Sequence, residues 1–134
     1  MTKTIAGSDI GASFISAEAR LPPCPRTPNC VSTQADRPSQ RMEPIPYQGP
    51  LAEAHERMLG VLRARPRTRI VKEGPGFLQA ECRSLIFRFV DDVEIRFDDA
   101  AKRIHFRSAS RVGRNDFGVN RQRMNEIRDA FLAP

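Results

Sequence analysis

Residues 85–97, LIFRFVDDVEIRF, decide the fold of this 134-residue chain, because every odd position except Asp91 carries an apolar side chain. Successive side chains of a strand point to opposite faces of a sheet, so this period of two predicts a long strand with one buried face. The acidic pair Asp91-Asp92 leaves an alternative open, in which the stretch divides there into two strands.

The sequence on both sides of this stretch predicts further strands, separated by turns. Gly74-Pro75-Gly76 predicts a turn before it, and residues 98–102 predict a hairpin loop after it. Between these turns the chain is rich in β-branched and aromatic side chains. We therefore predict an antiparallel sheet of four strands, over residues 69–72, 77–83, 85–97 and 104–109.

Two amphipathic helices are predicted to cover the same face of this sheet. The first spans residues 50–65, with Pro50 at its first position. The second begins after a polar loop, where Asn115 or Asp116 can cap it. Its inner face is predicted to hold Val119, Met124, Ile127, Ala130 and Phe131. The fold class is thus α+β.

The chain is predicted to have three parts. Residues 1–20 are predicted to form a disordered tail. Residues 21–49 hold seven of the eleven prolines, which disfavour helix and central strand, so we predict an extended Pro-rich arm. Residues 50–134 form the single α+β domain. Contacts of the arm with this domain are expected through Val31, Ile45 and Tyr47.

The composition limits the classes of protein to which the chain can belong. A hydrophobic fraction of 40% over 134 residues excludes a wholly disordered chain and a multi-domain enzyme. The formal net charge of +6 favours anionic partners. No window is apolar enough for a membrane-spanning helix and no secretory signal stands at the start, so we expect a cytoplasmic protein without membrane insertion.

Nucleic acid is an alternative partner for a basic protein, but the aromatic content argues against it. The chain has no Trp and one Tyr, and no helix carries arginines along one outward face. Neither helix combines a lysine-rich face with large exposed apolar side chains, which argues against a membrane-surface role. We interpret Arg63, Arg65, Arg67 and Arg69 as a solvated helix end that suits the helix dipole.

Three cysteines, Cys24, Cys30 and Cys82, are an odd number in a chain with no export signal, so we expect reduced thiols. Cys24 and Cys30 could still close a small ring in an oxidising compartment. The isolated His55 and His105 do not complete the donor set of a metal site. We therefore expect no metal, and the sequence carries no cofactor signature.

Charge is concentrated in two neighbouring stretches of opposite sign. Residues 73–99 hold seven acidic against three basic side chains, and residues 102–123 hold seven basic against one acidic. Opposite charges suit neighbouring strands, so one interpretation is a structural ion network in which Asp92 or Glu94 faces Arg107 or Arg111. The acidic members of the predicted polar network are Asp91, Asp92, Glu94 and Asp116.

Asp91 needs a partner, because an unpaired carboxylate on an apolar face costs several kcal/mol. Arg107 and Arg111 are the candidates from chain order. Asp91 and Asp92 are adjacent in a strand and point to opposite faces, so they cannot share a proton or a metal ion. This argues against a hydrolase.

The region from residue 107 to residue 121 also favours an anion-binding site. Guanidinium groups, hydroxyls and the free amides of a helix start all suit a carboxylate or a phosphate. Gly113 and Gly118 would let the backbone come close to such a ligand. A purely structural polar network is the alternative. The candidate ligand-binding residues are Arg107, Ser108, Ser110, Arg111, Asn120 and Arg121.

Three segments resemble a known family. They are CPRTPNCVS at 24–32, FVDDVE at 89–94 and RSASRVG at 107–113, followed by Asp116, Gly118, Asn120, Arg121 and Arg123. In this order they are similar to the domain of unknown function 1499 family, which occurs in bacteria and photosynthetic plastids. The resemblance implies no activity, substrate or catalytic residue. Several relatives look exported or membrane-tethered, so an envelope-associated location is the alternative to the cytoplasm.

The resemblance also singles out the Asn29-Cys30 corner of the arm. We hypothesise that the arm folds back, so that Cys30 lies near the strand that carries Arg107 and Arg111. These features favour a small non-enzymatic binding or accessory module with an anionic ligand or a protein as its partner. The alternatives are an enzyme with Cys30 as nucleophile, beside an arginine that lowers its pKa, and a basic nucleic-acid-binding protein.

Overall fold

A computed structural model describes residues 15–86, 88–113 and 115–134. The order of elements is a single 3-10 turn (Ala17–Ala19), β1 (Cys30–Ser32), β2 (Ile45–Pro46), α1 (Leu51–Arg63), β3 (Thr68–Gly74), β4 (Phe77–Arg83), β5 (Val90–Asp98), β6 (Arg103–Ser110) and α2 (Val119–Leu132). The α+β class is confirmed. Of the tail predicted over residues 1–20, residues 1–14 lie outside the described residues, and the Ser16 hydroxyl donates to Asp98 Oδ1 at 2.7 Å.

Over the described residues the sheet has six antiparallel strands, so the prediction of four is wrong. The order is β1-β6-β5-β4-β3, and β2 also pairs with β6. Both extra strands come from residues 21–49, with Cys30 opposite Ala109 and Ile45 opposite Ile104. Without them β6 would expose a row of unpaired backbone groups. The prolines limit these strands to three and two residues but do not prevent the pairing.

The long strand predicted over residues 85–97 begins at Val90, and it runs without a break through Asp91-Asp92. The connection before it is closed by two hydrogen bonds, in which Ser84 N donates to Phe89 O and Phe89 N to Ser84 Oγ. Leu85 and Ile86 are 69% and 78% exposed. The periodic apolar pattern therefore continues outside the buried sheet.

Both helices pack on one face of the sheet, as predicted. Met58 and Leu62 of α1 share the buried core with Met124 and Ile127 of α2, above Ile95 of β5. Gly118 occupies the N-cap position of α2, and the carboxylate of Asp116, two residues earlier, accepts from Gly118 N at 2.9 Å and from Asn120 N at 3.3 Å. Val119 and Ala130 are exposed, however, and do not belong to the inner face.

The other face of the sheet is mostly polar and is partly covered by residues 15–25. Arg96 stacks over the Phe77 ring and donates to Glu18 O at 3.2 Å. Arg107 donates to Pro23 O at 3.2 Å. In the described part of the chain, no helix is both long and apolar enough to cross a bilayer.

Candidate functional site

Asp91 forms a buried ion pair with Arg123 of α2. Arg123 Nη2 donates to Asp91 Oδ2 at 2.6 Å, and each side chain is only 9% exposed. The prediction of Arg107 or Arg111 as the partner is wrong, because those side chains lie on the opposite face of the sheet from Asp91. Arg123 reaches Asp91 because α2 covers the inner face.

Asn120 connects this pair to β6 and to the arm. Its Oδ1 accepts from Ser108 Oγ and from Arg123 Nη1, both at 2.6 Å. Its Nδ2 donates to Asp116 Oδ2 at 2.7 Å and also approaches Asn29 O at 3.2 Å. We call the whole set the buried polar cluster: Asn29, Asp91, Ser108, Ser110, Asp116, Asn120 and Arg123.

Among the described residues, no buried side-chain nitrogen or oxygen of the buried polar cluster lacks a hydrogen-bond partner. Asn29 Nδ2 donates to Val112 O at 2.6 Å and to Ser110 O at 3.2 Å. Arg123 Nη1 also donates to Ser108 Oγ at 3.1 Å. Ser108 and Asn120 are fully buried. The geometry is that of a rigid network joining α2, β6 and the arm.

Arg111 lies on the outer face of the sheet and bridges two carboxylates. It makes a two-point contact with Asp92, at 2.9 Å from both Nε and Nη2, and its Nη2 lies 2.8 Å from Glu81 Oε2. Hydrogen bonds to Asp92 and Glu81 raise the pKa of Arg111. The cross-strand pair Asp92–Arg111 is as predicted, whereas Glu94 pairs with Arg96 of its own strand at 2.7 Å.

The six predicted ligand-binding residues lie in three places. Ser108, Ser110 and Asn120 meet in the buried polar cluster. Arg107 and Arg111 lie on the outer face of the sheet, and Arg107 Nε is buried with no hydrogen-bond partner among the described residues. Arg121 donates to Ser39 O at 2.8 Å. The structure brings the hydroxyls together with the amide, but not with these three arginines.

Cys24 and Cys30 form a disulfide, so the expectation of reduced thiols at these positions is wrong. The turn between them brings their Cα atoms to 5.8 Å, which lies within the range that a disulfide requires. Cys30 lies opposite Ala109 of β6, which confirms that the arm folds back against this strand. Cys82 is free and buried. A disulfide-bonded Cys30 offers no thiolate for nucleophilic catalysis.

A second cluster of arginines lines an open cleft of about 360 Å³ at the β3–β4 edge of the sheet. We call it the arginine cleft; its walls are Arg67, Thr68, Arg69, Glu81, Arg83, Leu85 and Arg88. Arg69 is paired with Glu81 at 3.0 Å. Among the described residues, no carboxylate pairs with Arg67, Arg83 or Arg88.

The β3–β4 hairpin assembles this cleft from distant parts of the sequence. Thr68 lies opposite Cys82 and Arg69 opposite Glu81, and Arg83 N donates to Arg67 O at 2.9 Å. Arg67 and Arg88 both have positive φ angles, of 54° and 60°. Residues other than glycine adopt this left-handed conformation at a cost, and such strain concentrates at functional sites.

The chain matches a known protein family. A family profile described as "Protein of unknown function (DUF1499)" matches residues 20–131. The chain belongs to this family. The resemblance found from the sequence is therefore confirmed. No curated protein and no solved structure matches the chain.

In this DUF1499 member, the three segments that carry the resemblance meet in the buried polar cluster. Asn29 comes from the first, Asp91 from the second and Ser108 and Ser110 from the third. Asn120 and Arg123, which follow the third segment, join them. Much of the family resemblance thus lies in residues that hold the fold together.

The sequence patterns did not predict the arginine cleft, for two reasons. Arg67 and Arg69 were interpreted as a solvated helix end, and Arg83 and Arg88 belong to a stretch whose net charge is negative. The strand register would have indicated the cleft, because pairing 68 with 82 brings Arg67, Arg69 and Arg83 to the same end of the hairpin. In the described part of this DUF1499 chain, no group of three His, Cys, Asp or Glu side chains is arranged to hold a metal ion.

Proposed function

We propose that this DUF1499 protein is a non-enzymatic binding or accessory module that takes up an anionic group in the arginine cleft. One observation carries the proposal: Arg67, Arg83 and Arg88 line one open cleft and pair with no described carboxylate. This is the class of function that the sequence favours, with the anion held by different arginines from those in residues 107–121.

Electrostatics supports an anion at this position. Like charges around one cleft repel one another, and the single carboxylate there, Glu81, is shared between Arg69 and Arg111. A phosphate or carboxylate would relieve that repulsion and accept hydrogen bonds from more than one guanidinium. A cleft of about 360 Å³ suits a small anionic group.

The chemistry of the walls supports binding over catalysis. The residues that line the cleft include no histidine and no cysteine. Hydrogen bonds from Arg69 and then Arg111 lower the pKa of Glu81, which keeps this carboxylate ionised and engaged. A general base needs a pKa near the working pH and free access to a proton, and Glu81 has neither.

Thermal unfolding with inorganic phosphate and pyrophosphate tests the proposal. We expect both anions to raise the melting temperature of the wild type, with pyrophosphate the more effective. The double variant Arg83→Gln/Arg88→Gln should lose most of that increase. The matched control is Arg37→Gln/Arg41→Gln, which removes two exposed arginines beside β1, at the opposite edge of the sheet.

The control also addresses a competing location. Arg37 lines another open cleft with Arg20 and Arg26. Loss of the anion effect in Arg37→Gln/Arg41→Gln, with full retention in Arg83→Gln/Arg88→Gln, would place the anion at that edge and contradict the proposal. Absence of any anion effect on the wild type would also contradict it.

A further inference from the structure

Large apolar side chains are exposed next to the arginine cleft. Leu85 is 69%, Ile86 78% and Phe117 88% exposed, and Phe89 and Val119 are 41% and 46% exposed. Isolated exposed apolar residues are ordinary, but a group of them at one end of a domain marks an interaction surface. We call these five residues the apolar rim.

The apolar rim and the arginine cleft share walls. Leu85 lines the cleft, and it also lines a neighbouring groove of about 280 Å³ together with Val119 at the start of α2. Arg67 and Arg83 line both depressions. Guanidinium groups and exposed aliphatic side chains thus lie side by side on one surface.

Polar hydrogen bonds hold the two loops of the rim in shape. Ser84 and Phe89 close the first loop through the bonds described above. In the second loop, Phe117 N donates to Asn115 Oδ1 at 2.8 Å and Gly118 N to Asp116 Oδ1 at 2.9 Å. Phe117 has a φ of 55°, which is uncommon for a bulky side chain. The structure keeps an aromatic ring in solvent at a conformational cost.

From this arrangement we infer that the apolar rim docks the protein on an anionic lipid surface, with a lipid phosphate in the arginine cleft. The inference rests on the proposed anion-binding function of the cleft. Apolar side chains bind at the boundary between headgroups and acyl chains, and arginines near that boundary are attracted to anionic lipids. The contact is peripheral and uses side chains of two loops and of Val119 at the start of α2.

The shape and chemistry of the apolar rim favour a lipid surface over a nucleic acid or a protein with matching pockets. Leu85, Ile86 and Phe117 project from loop tips, and a fluid lipid boundary accepts projecting side chains without a matching set of pockets. A nucleic acid stacks its bases on aromatic faces, whereas three of the five rim residues, Leu85, Ile86 and Val119, are aliphatic. Charge complementarity comes from Arg67, Arg83 and Arg88, which suit lipid phosphates.

Vesicle co-sedimentation tests the inference with three variants. The vesicles are phosphatidylcholine alone and phosphatidylcholine mixed with phosphatidylglycerol. Ile86→Ser/Phe117→Ser removes much of the apolar contact, and Arg83→Gln/Arg88→Gln removes the charge. Leu132→Ser is the control, since Leu132 is 49% exposed at the far end of α2. All four proteins are also measured by thermal unfolding with pyrophosphate.

We expect the wild type to bind the mixed vesicles and not the neutral ones, with binding weakened at high salt. Ile86→Ser/Phe117→Ser should weaken vesicle binding about ten-fold or more while keeping the full pyrophosphate effect, because neither residue is a wall of the arginine cleft. Arg83→Gln/Arg88→Gln should lose both, with vesicle binding down about thirty-fold. Leu132→Ser should match the wild type in both assays.

Three results would overturn the docking inference. The first is a pyrophosphate effect without any binding to mixed vesicles, which would leave the anion-binding function standing alone. The second is unchanged vesicle binding in Ile86→Ser/Phe117→Ser. The third is a wild-type dimer in sedimentation equilibrium that this double variant dissociates, because the rim would then be a protein interface. If pyrophosphate does not raise the melting temperature of the wild type, the proposed function itself is contradicted.

Discussion

Arg123 on α2 donates to Asp91 on β5 at 2.6 Å, inside the protein and beneath the start of the helix. The contact joins two elements that lie far apart in the sequence. Ser108 Oγ and Asn120 Oδ1 accept hydrogen bonds from Nη1 of the same guanidinium, so the buried charge is compensated on more than one side. A pair held in this way fixes the position of α2 on the sheet.

Replacing one partner of this pair should destabilise the fold strongly. Arg123→Met leaves Asp91 as a buried carboxylate without a counter-ion, and we expect the free energy of unfolding to fall by about 3–5 kcal/mol. Urea denaturation followed by circular dichroism measures this. Arg111→Gln, which breaks the exposed contact with Asp92, should have a much smaller effect. A similar loss of stability in both variants would show that burial does not govern how much an ion pair contributes to stability.

The double variant Asp91→Leu/Arg123→Met gives the second half of this test. It removes both charges and replaces them with apolar side chains. Such replacements often recover the stability that single removal costs. We expect the double variant to be more stable than Arg123→Met alone. If it is less stable, the ion pair contributes more than the desolvation of its two charges costs.

Asn120→Ala should destabilise the fold without affecting anion binding. The change removes the acceptor of Ser108 and Arg123 and the donor to Asp116, which leaves buried polar groups unpaired. We expect a loss of about 3 kcal/mol in urea denaturation. At a temperature where the variant is folded, its affinity for pyrophosphate should equal that of the wild type. A weaker affinity would instead place the ligand at residues 107–121.

The disulfide should be detectable by counting reactive thiols. Unfolded without reductant, the oxidised protein should take up iodoacetamide at Cys82 alone, and after reduction it should take it up at all three cysteines. Cys24→Ser/Cys30→Ser should lower the free energy of unfolding by about 2 kcal/mol, since the closed loop is short. Modification of three cysteines without reductant would contradict the pairing.

Local patterns predicted the parts of the fold that depend on neighbouring residues. The 3.6-residue period gave α1 and α2, and the period of two with its turns gave β3 to β6. Periodicity carries no information about what pairs with β6, so the strands at Cys30 and Ile45 were missed. The disulfide was missed because three cysteines and no export signal favoured reduced thiols, whereas the loop between Cys24 and Cys30 folds so that their Cα atoms lie 5.8 Å apart.

The candidate site was predicted less well than the fold. Sequence order proposed Arg107 and Arg111 for Asp91, but strand alternation places them on the other face and α2 supplies Arg123. The arginine cleft depends on the register of β3 with β4. The exposure of Leu85 and Ile86 was not predictable from their pattern, because alternation looks the same in a buried strand and in a loop.

His105 should make the stability of the protein depend on pH. Its Nδ1 lies 2.8 Å from Thr33 Oγ1 in a buried position on β6. Burial lowers the pKa of His105 below 6.5, and the charges of Arg20 and Arg103 act in the same direction, while Asp98 opposes them. The neutral ring is therefore the form that the folded protein favours.

The sign of the effect follows from the lowered pKa. As pH falls through about 6.5, the unfolded chain binds a proton at His105 before the folded protein does, so the folded state loses stability. Burial opposes ionisation of Asp98, but hydrogen bonds from Ser16 and Ala101 keep its pKa lowered, so Asp98 stays ionised in this window. We expect the free energy of unfolding to decrease from about pH 7.5 to about pH 5.5. His105→Gln should be less stable at the higher pH but should show a shallower decrease, and equal slopes in urea denaturation of the two proteins would exclude His105 as the cause.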